Sequence, residues 1–117
     1  MSDATPPRIA LIHALEESVL PIRDAFVRLW PQALRADLLD ASLSADLAAA
    51  GTLDAAMTDR FVTLGRYAAR GTGPHDTRAV LFTCSAFGPA IEAVKADLSI
   101  PVMRPNEAAF DAALNIG

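Results

Sequence analysis

Apolar and polar positions follow two different periods along this chain. Four short runs are mostly apolar: 8–13, 33–39, 79–82 and 99–103. Runs of this length, bounded by turn residues, predict strands covered on both faces. The run at 33–39 is also compatible with a helix, and Pro101 predicts that the last strand is an edge strand or only begins there. Between the runs the period lengthens. Val19, Ile22, Phe26 and Leu29 lie three or four apart and predict one face of a helix that stops near Trp30, before Pro31. Ser18 is placed to cap it, and Pro21 is tolerated in its first turn. Residues 40–44 read as a polar loop, followed by a short helical turn from Ser44 that Gly51 breaks. Leu53, Met57, Phe61, Leu64 and Ala68 predict a long helix over 53–70, with Thr52 as its cap and the Gly/Pro stretch 71–74 as its end. Residues 90–98 and 107–114 read as two further helices.

Strand and helix thus alternate. Such alternation predicts an α/β fold with a parallel sheet and right-handed crossovers. The expected architecture is a four-stranded, flavodoxin-like sheet of order 2-1-3-4 with helices on both faces. Residues 1–7 are expected to be a disordered tail, and 8–117 a single domain. In open sheets of this kind ligands bind outside the carboxyl ends of the strands.

Composition narrows the function classes. Over 117 residues the chain is 52% hydrophobic and 21% charged, which suits one small domain with a core. The formal net charge of −4, without a basic stripe, argues against nucleic acid as a partner. The amino terminus lacks the basic start and apolar core of a secretion signal, and no apolar run reaches the roughly 18 residues of a membrane span. A cytoplasmic location is the expectation. A single cysteine forms no internal disulfide.

That cysteine, Cys84, falls where a strand ends and a helix is about to start, between Thr83 and Ser85. The N–H groups opening a helix favour an anion and lower a thiol's pKa. The expectation is a thiolate acting as base or nucleophile beside a carboxylate site, with the Thr83 and Ser85 hydroxyls and the Ser85 and Ala86 N–H groups as stabilising donors. The plainer alternative is a buried cysteine that packs as a small hydrophobe. His13, at the end of the first predicted strand, is a candidate to hold or polarise the thiol, or is a hydrogen-bonded structural residue. Ser42 and Ser44 are candidates for binding a substrate carboxylate, or caps of the helix that follows. Asn106 is a candidate for binding substrate, or a cap of the last helix, and Glu107 a substrate or interdomain contact. His75 belongs to the loop on the opposite rim.

Four segments carry a resemblance: IALIHA at 9–14, LLDASLS at 38–44, FTCSAFGP at 82–89 and IPVMRPNE at 100–107. With these the chain resembles the Asp/Glu/hydantoin racemase superfamily, and in particular its aspartate/glutamate racemase-like branch, from about Arg8 onward. The resemblance implies a two-domain protein with the site between the domains. One cysteine from each domain faces each side of a substrate α-carbon, without metal or other cofactor. Relatives in that superfamily include decarboxylases and cis–trans isomerases, some with a single cysteine. Cys84 matches the first-domain cysteine, and Thr83 and Ser85 match residues that commonly bind the substrate carboxylate. The chain departs from the pattern at 13–17, HALEE, where racemases usually carry Asp or Asn with small residues, and in having no second cysteine. The expected substrate is a small carboxylate or amino acid. The chain is expected to be one half of a larger protein, or to associate with itself over the Cys84 rim, where Leu15, Phe87 and Met103 are expected to be exposed. The competing class is a non-catalytic anion-binding module.

Overall fold

The computed structural model describes residues 6–70, 76–84 and 86–104. Most of the expected tail, the 71–75 loop with His75, Ser85, and the last expected helix with Asn106 and Glu107 lie outside the described residues.

Strands and α-helices follow in this order among the described residues: β1 (Arg8–His13), α1 (Val19–Leu29), β2 (Leu34–Leu39), α2 (Ser42–Ala50), α3 (Ala55–Ala69), β3 (Thr77–Phe82), α4 (Gly88–Asp97) and β4 (Val102–Met103). The strands form one all-parallel, four-stranded sheet of order β2-β1-β3-β4, the flavodoxin-like arrangement. β1 lies in the middle and is buried on both faces. Ile9 and Leu11 face α1, packing with Ala79, Leu81, Ile22, Phe26 and Trp30. Ala10 and Ile12 face the other way, into a larger core with α3 and α4. Successive side chains of a strand point to opposite faces, so a central strand needs this unbroken apolar run. The larger core closes on an aromatic group: the ring of Phe61 lies 5.4 Å from Phe82 and 4.6 Å from Phe87.

α3 and α4 approach closely at Gly65, where a Cβ would come within 2.6 Å of Val94 Cγ1. The Thr77 hydroxyl donates to the Ala68 carbonyl at 2.8 Å and so ties the end of α3 to the start of β3. β4 is short because Pro101 has no N–H to give; its carbonyl accepts from Val80 N–H at 2.9 Å, and pairing begins there.

Several local expectations need correction. Residues 42–50 form a full helix, α2, rather than a loop and a turn. The carboxylate of Asp40 accepts from the Ser42 N–H at 3.0 Å, which starts the helix early, and Gly51, at φ 79°, ends it. α3 is capped by Asp54, whose side chain accepts from Met57 N–H, not by Thr52. A 3-10 turn, Glu16–Ser18, precedes α1, and the Ser18 side chain makes no capping bond. Of the rim residues expected to be exposed, Leu15 is 43% exposed, but Phe87 is buried against Phe61 and Met103 is only partly exposed. No helix among the described residues is long and apolar enough to cross a membrane.

Candidate functional site

The carboxyl ends of β1, β2 and β3 meet at one rim. Parallel pairing sets Ile12 opposite both Leu38 and Phe82 and His13 opposite Leu39. Past the last paired residues, Thr83 N–H donates to the Ile12 carbonyl at 3.1 Å, and Asp40 N–H to the His13 carbonyl at 3.0 Å. Thr83 and Cys84 therefore leave β3 directly beside the end of β1.

His13 is wholly buried on the α1 side of the sheet, and both of its ring nitrogens are engaged. Nε2 lies 2.9 Å from Asp37 Oδ1, and Nδ1 lies 2.7 Å from Thr83 Oγ1. An ionised carboxylate only accepts, so Nε2 carries a proton. With a neutral ring, Nδ1 then has a lone pair and the Thr83 hydroxyl donates to it. The other oxygen of Asp37 takes Arg35 Nη1 at 3.2 Å. Arg35, Asp37, His13 and Thr83 thus form a hydrogen-bonded chain that runs from the exposed edge strand to the residue before Cys84. Its order of carboxylate, imidazole and hydroxyl is that of the groups that orient and activate a hydroxyl in acyl-transfer enzymes. Here His13 serves Thr83, whereas the sequence suggested that it would serve the thiol.

Cys84 is 8% exposed and belongs to the larger core, with Ala14 and Phe87 as fellow members. Burial pushes its thiol up to about 11 from an ordinary 9.0, and the N–H groups of Cys84 itself and of Ala14 only partly offset this. The expectation of a thiolate is therefore corrected: at neutral pH Cys84 is a thiol. The physical reason lies in the turn. α4 opens at Gly88, four residues beyond Cys84, so desolvation outweighs what helix N–H groups supply.

The remaining candidates separate. Ser42 is committed to an exposed ion cluster. Its hydroxyl donates to Asp40 Oδ1 at 2.5 Å and accepts from Arg60 Nη2 at 2.6 Å, while Arg60 Nη1 reaches Asp46 at 2.7 Å. The Ser42 hydroxyl, followed by its N–H and by Arg60, holds the Asp40 carboxyl below the ordinary carboxylate range, with burial opposing. Ser44 is half-buried in the first turn of α2, and Ala86 is exposed beyond Cys84. A separate cavity of about 450 Å³ opens between β1, β2 and the end of α3, lined in part by Arg8, Ala36, Tyr67 and Arg70. Asp37 also borders it, but none of the residues singled out from the sequence does.

Asp37 is the site residue that the sequence reading missed. The available signal was a charged pair, Arg35 and Asp37, spaced by two and so on one face of an otherwise apolar strand. Among the described residues no group of three or more His, Cys, Asp or Glu is placed to hold a metal ion. No family model, curated protein or solved structure matches the chain.

Proposed function

We propose that the chain is a racemase-like protein of the Asp/Glu racemase class that acts, without a cofactor, at the α-carbon of a small carboxylate. In this reading the site is completed by a second domain or a second copy of the chain. The observation that best supports it is the pairing of Thr83 and Cys84 at the carboxyl end of β3. One offers a hydroxyl held in a fixed direction by a wholly buried histidine, and the other a thiol.

A two-base exchange needs one group that starts deprotonated and one that starts protonated. Burial makes Cys84 the protonated one. A base from the completing part takes the α-proton, and the electron pair of that C–H bond moves into the substrate carboxylate. Donors at the rim stabilise the doubly charged carboxylate that forms, and the Thr83 hydroxyl joins them when His13 Nδ1 carries a proton and no longer accepts from it. Cys84 then gives its S–H proton to the opposite face and becomes a thiolate, toward which the Ala14 N–H is directed.

The same neutral thiol favours a second reading, decarboxylation. A thiol delivers a proton equally well to the carbanion left when a malonate loses CO2. Proton NMR in D2O with aspartate, glutamate and a 2-substituted malonate separates the readings. Exchange of the α-proton supports the first, and CO2 release with deuterium at the α-carbon supports the second. Inversion at the α-carbon and CO2 release with deuterium uptake are both expected to vanish in Cys84→Ala, while one-sided exchange by the opposite base remains. Inversion or CO2 release that persists in that folded variant removes Cys84 from the mechanism, and neither reaction at saturating carboxylate in a sample that light scattering shows to be self-associated overturns both readings.

A further inference from the structure

The direction of the Thr83–His13 hydrogen bond has a consequence for binding. While His13 is neutral, the Thr83 hydroxyl spends its one proton on Nδ1. It then presents only lone pairs to the rim and repels an anion. When Nδ1 is protonated the bond reverses: the imidazolium donates to Thr83 Oγ1, and the hydroxyl proton is released to point elsewhere. The Ile12 carbonyl, at 3.5 Å, competes weakly for it.

We propose that Asp37 and His13 are positioning residues that make carboxylate binding at Thr83 proton-linked: the bound anion brings one proton, which His13 Nδ1 holds. The proposal rests on the reading of the rim as a carboxylate site. Asp37 makes the switch feasible because its carboxylate accepts from Nε2 in both states and neutralises the imidazolium in a place water does not reach. The other charges around His13 do not compete for this role. Arg35 is bound to the second oxygen of Asp37. The Asp40 carboxylate is turned to Ser42 and Arg60. Glu16 and Glu17 on the 3-10 turn, and Arg23, Asp24 and Arg28 on α1, are exposed, and the Cys84 thiol is neutral.

The test uses the 117-residue chain with malonate as the probe. Calorimetry in two buffers of different ionisation enthalpy counts the protons taken up, and 15N NMR of the imidazole follows His13 directly. Where the ring of the free protein is neutral by its 15N shifts, uptake of close to one proton per malonate is expected, with affinity falling about tenfold per pH unit. Saturation at fixed pH moves both ring nitrogens to imidazolium shifts. Asp37→Asn, whose amide oxygen still accepts from Nε2 but carries no charge, is expected to bind malonate at least about tenfold more weakly, and without that uptake. Malonate binding with no proton uptake, or full uptake retained in Asp37→Asn, overturns the coupling and leaves the carboxylate site standing. No malonate binding at any pH overturns the carboxylate reading itself, and the coupling with it.

Discussion

Two carboxylates three residues apart, Asp37 and Asp40, end in opposite environments. Asp37 turns into the sheet and holds a histidine that no water touches, and through it the hydroxyl of Thr83. Asp40 turns outward and holds Ser42 and Arg60 in an ion cluster whose members are largely solvated. Both clusters are polar, and both sit at the carboxyl end of β2. They differ in what happens when a partner is lost. A solvated group deprived of its partner finds water, while a buried one is left unsatisfied at a cost of about 1–3 kcal/mol. The buried cluster therefore has the geometry a site needs, fixed directions that do not relax, and the exposed one serves to start α2.

The largest effect is expected at Cys84 in alkali. Its folded pKa lies above its unfolded value, so the stability linked to its neutral form is fully present below about pH 9. That stability is lost as the pH rises through about 11. A rise of this size corresponds to about 2–3 kcal/mol at the alkaline limit. Denaturant melts of the wild type and Cys84→Ala, compared between pH 7 and 11.5, are expected to converge as the pH rises, since only the wild type has a buried thiol to ionise. Alkylation by iodoacetamide is expected to be slow at neutral pH and to accelerate toward pH 11. Fast, pH-insensitive alkylation near neutrality would restore the thiolate and reverse the roles given to Cys84.

Next in size is Asp37→Leu, which leaves the buried Nε2–H of His13 without an acceptor. A loss of about 1–3 kcal/mol is expected in a denaturant melt. The Asp37→Asn change is expected to cost clearly less, because the amide oxygen still accepts. Equal losses from the two substitutions would mean that the hydrogen bond is not what holds His13, and the contrast with Asp40 would lose its basis.

What the sequence makes legible follows from the same contrast. β1 is found at 8–13 as expected, because a strand buried on both faces must be apolar throughout, and a run such as IALI has few other uses. The sheet order follows from strand–helix alternation. β2 is harder to read: it is an edge strand whose α1-side positions carry Arg35 and Asp37, so the apolar run is broken just where the chemistry enters. α2 is hidden because Asp40 and Ser42 look like turn residues. Only the side-chain bond from Asp40 to the Ser42 N–H turns that sequence into a helix start. His13 and Thr83 are recognisable as rim residues, but their pairing is not, since 70 residues separate them and only the β1–β3 register joins them. The protonation of Cys84 is misjudged because the sequence shows the helix ahead but not the burial of the thiol, nor the Phe87 that folds back into the core beside it.

The smallest effect is expected in the exposed cluster. Arg60 bridges Asp46, Ser42 and, at 3.4 Å, Asp40, from a side chain 37% exposed. An ion pair in that setting contributes about 0–1 kcal/mol, and salt screens it over roughly 8–10 Å. Arg60→Ala is therefore expected to cost at most about 1 kcal/mol at low salt and less at 1 M NaCl, where wild type and variant converge. Acid sharpens the point. The folded pKa of Asp40 is depressed, so its contribution is present above the ordinary value of 3.8 and is lost as the pH falls through the lower folded value. The Ser42 hydroxyl is the larger cause of that depression, so Ser42→Ala is expected to raise the Asp40 pKa more than Arg60→Ala does, a difference that carboxyl-carbon NMR titration reads directly. If Arg60→Ala instead costs as much as Asp37→Leu and resists salt, the outer cluster is bearing on the core. The division of the rim into a fixed inner network and a solvated outer one would then have to be redrawn.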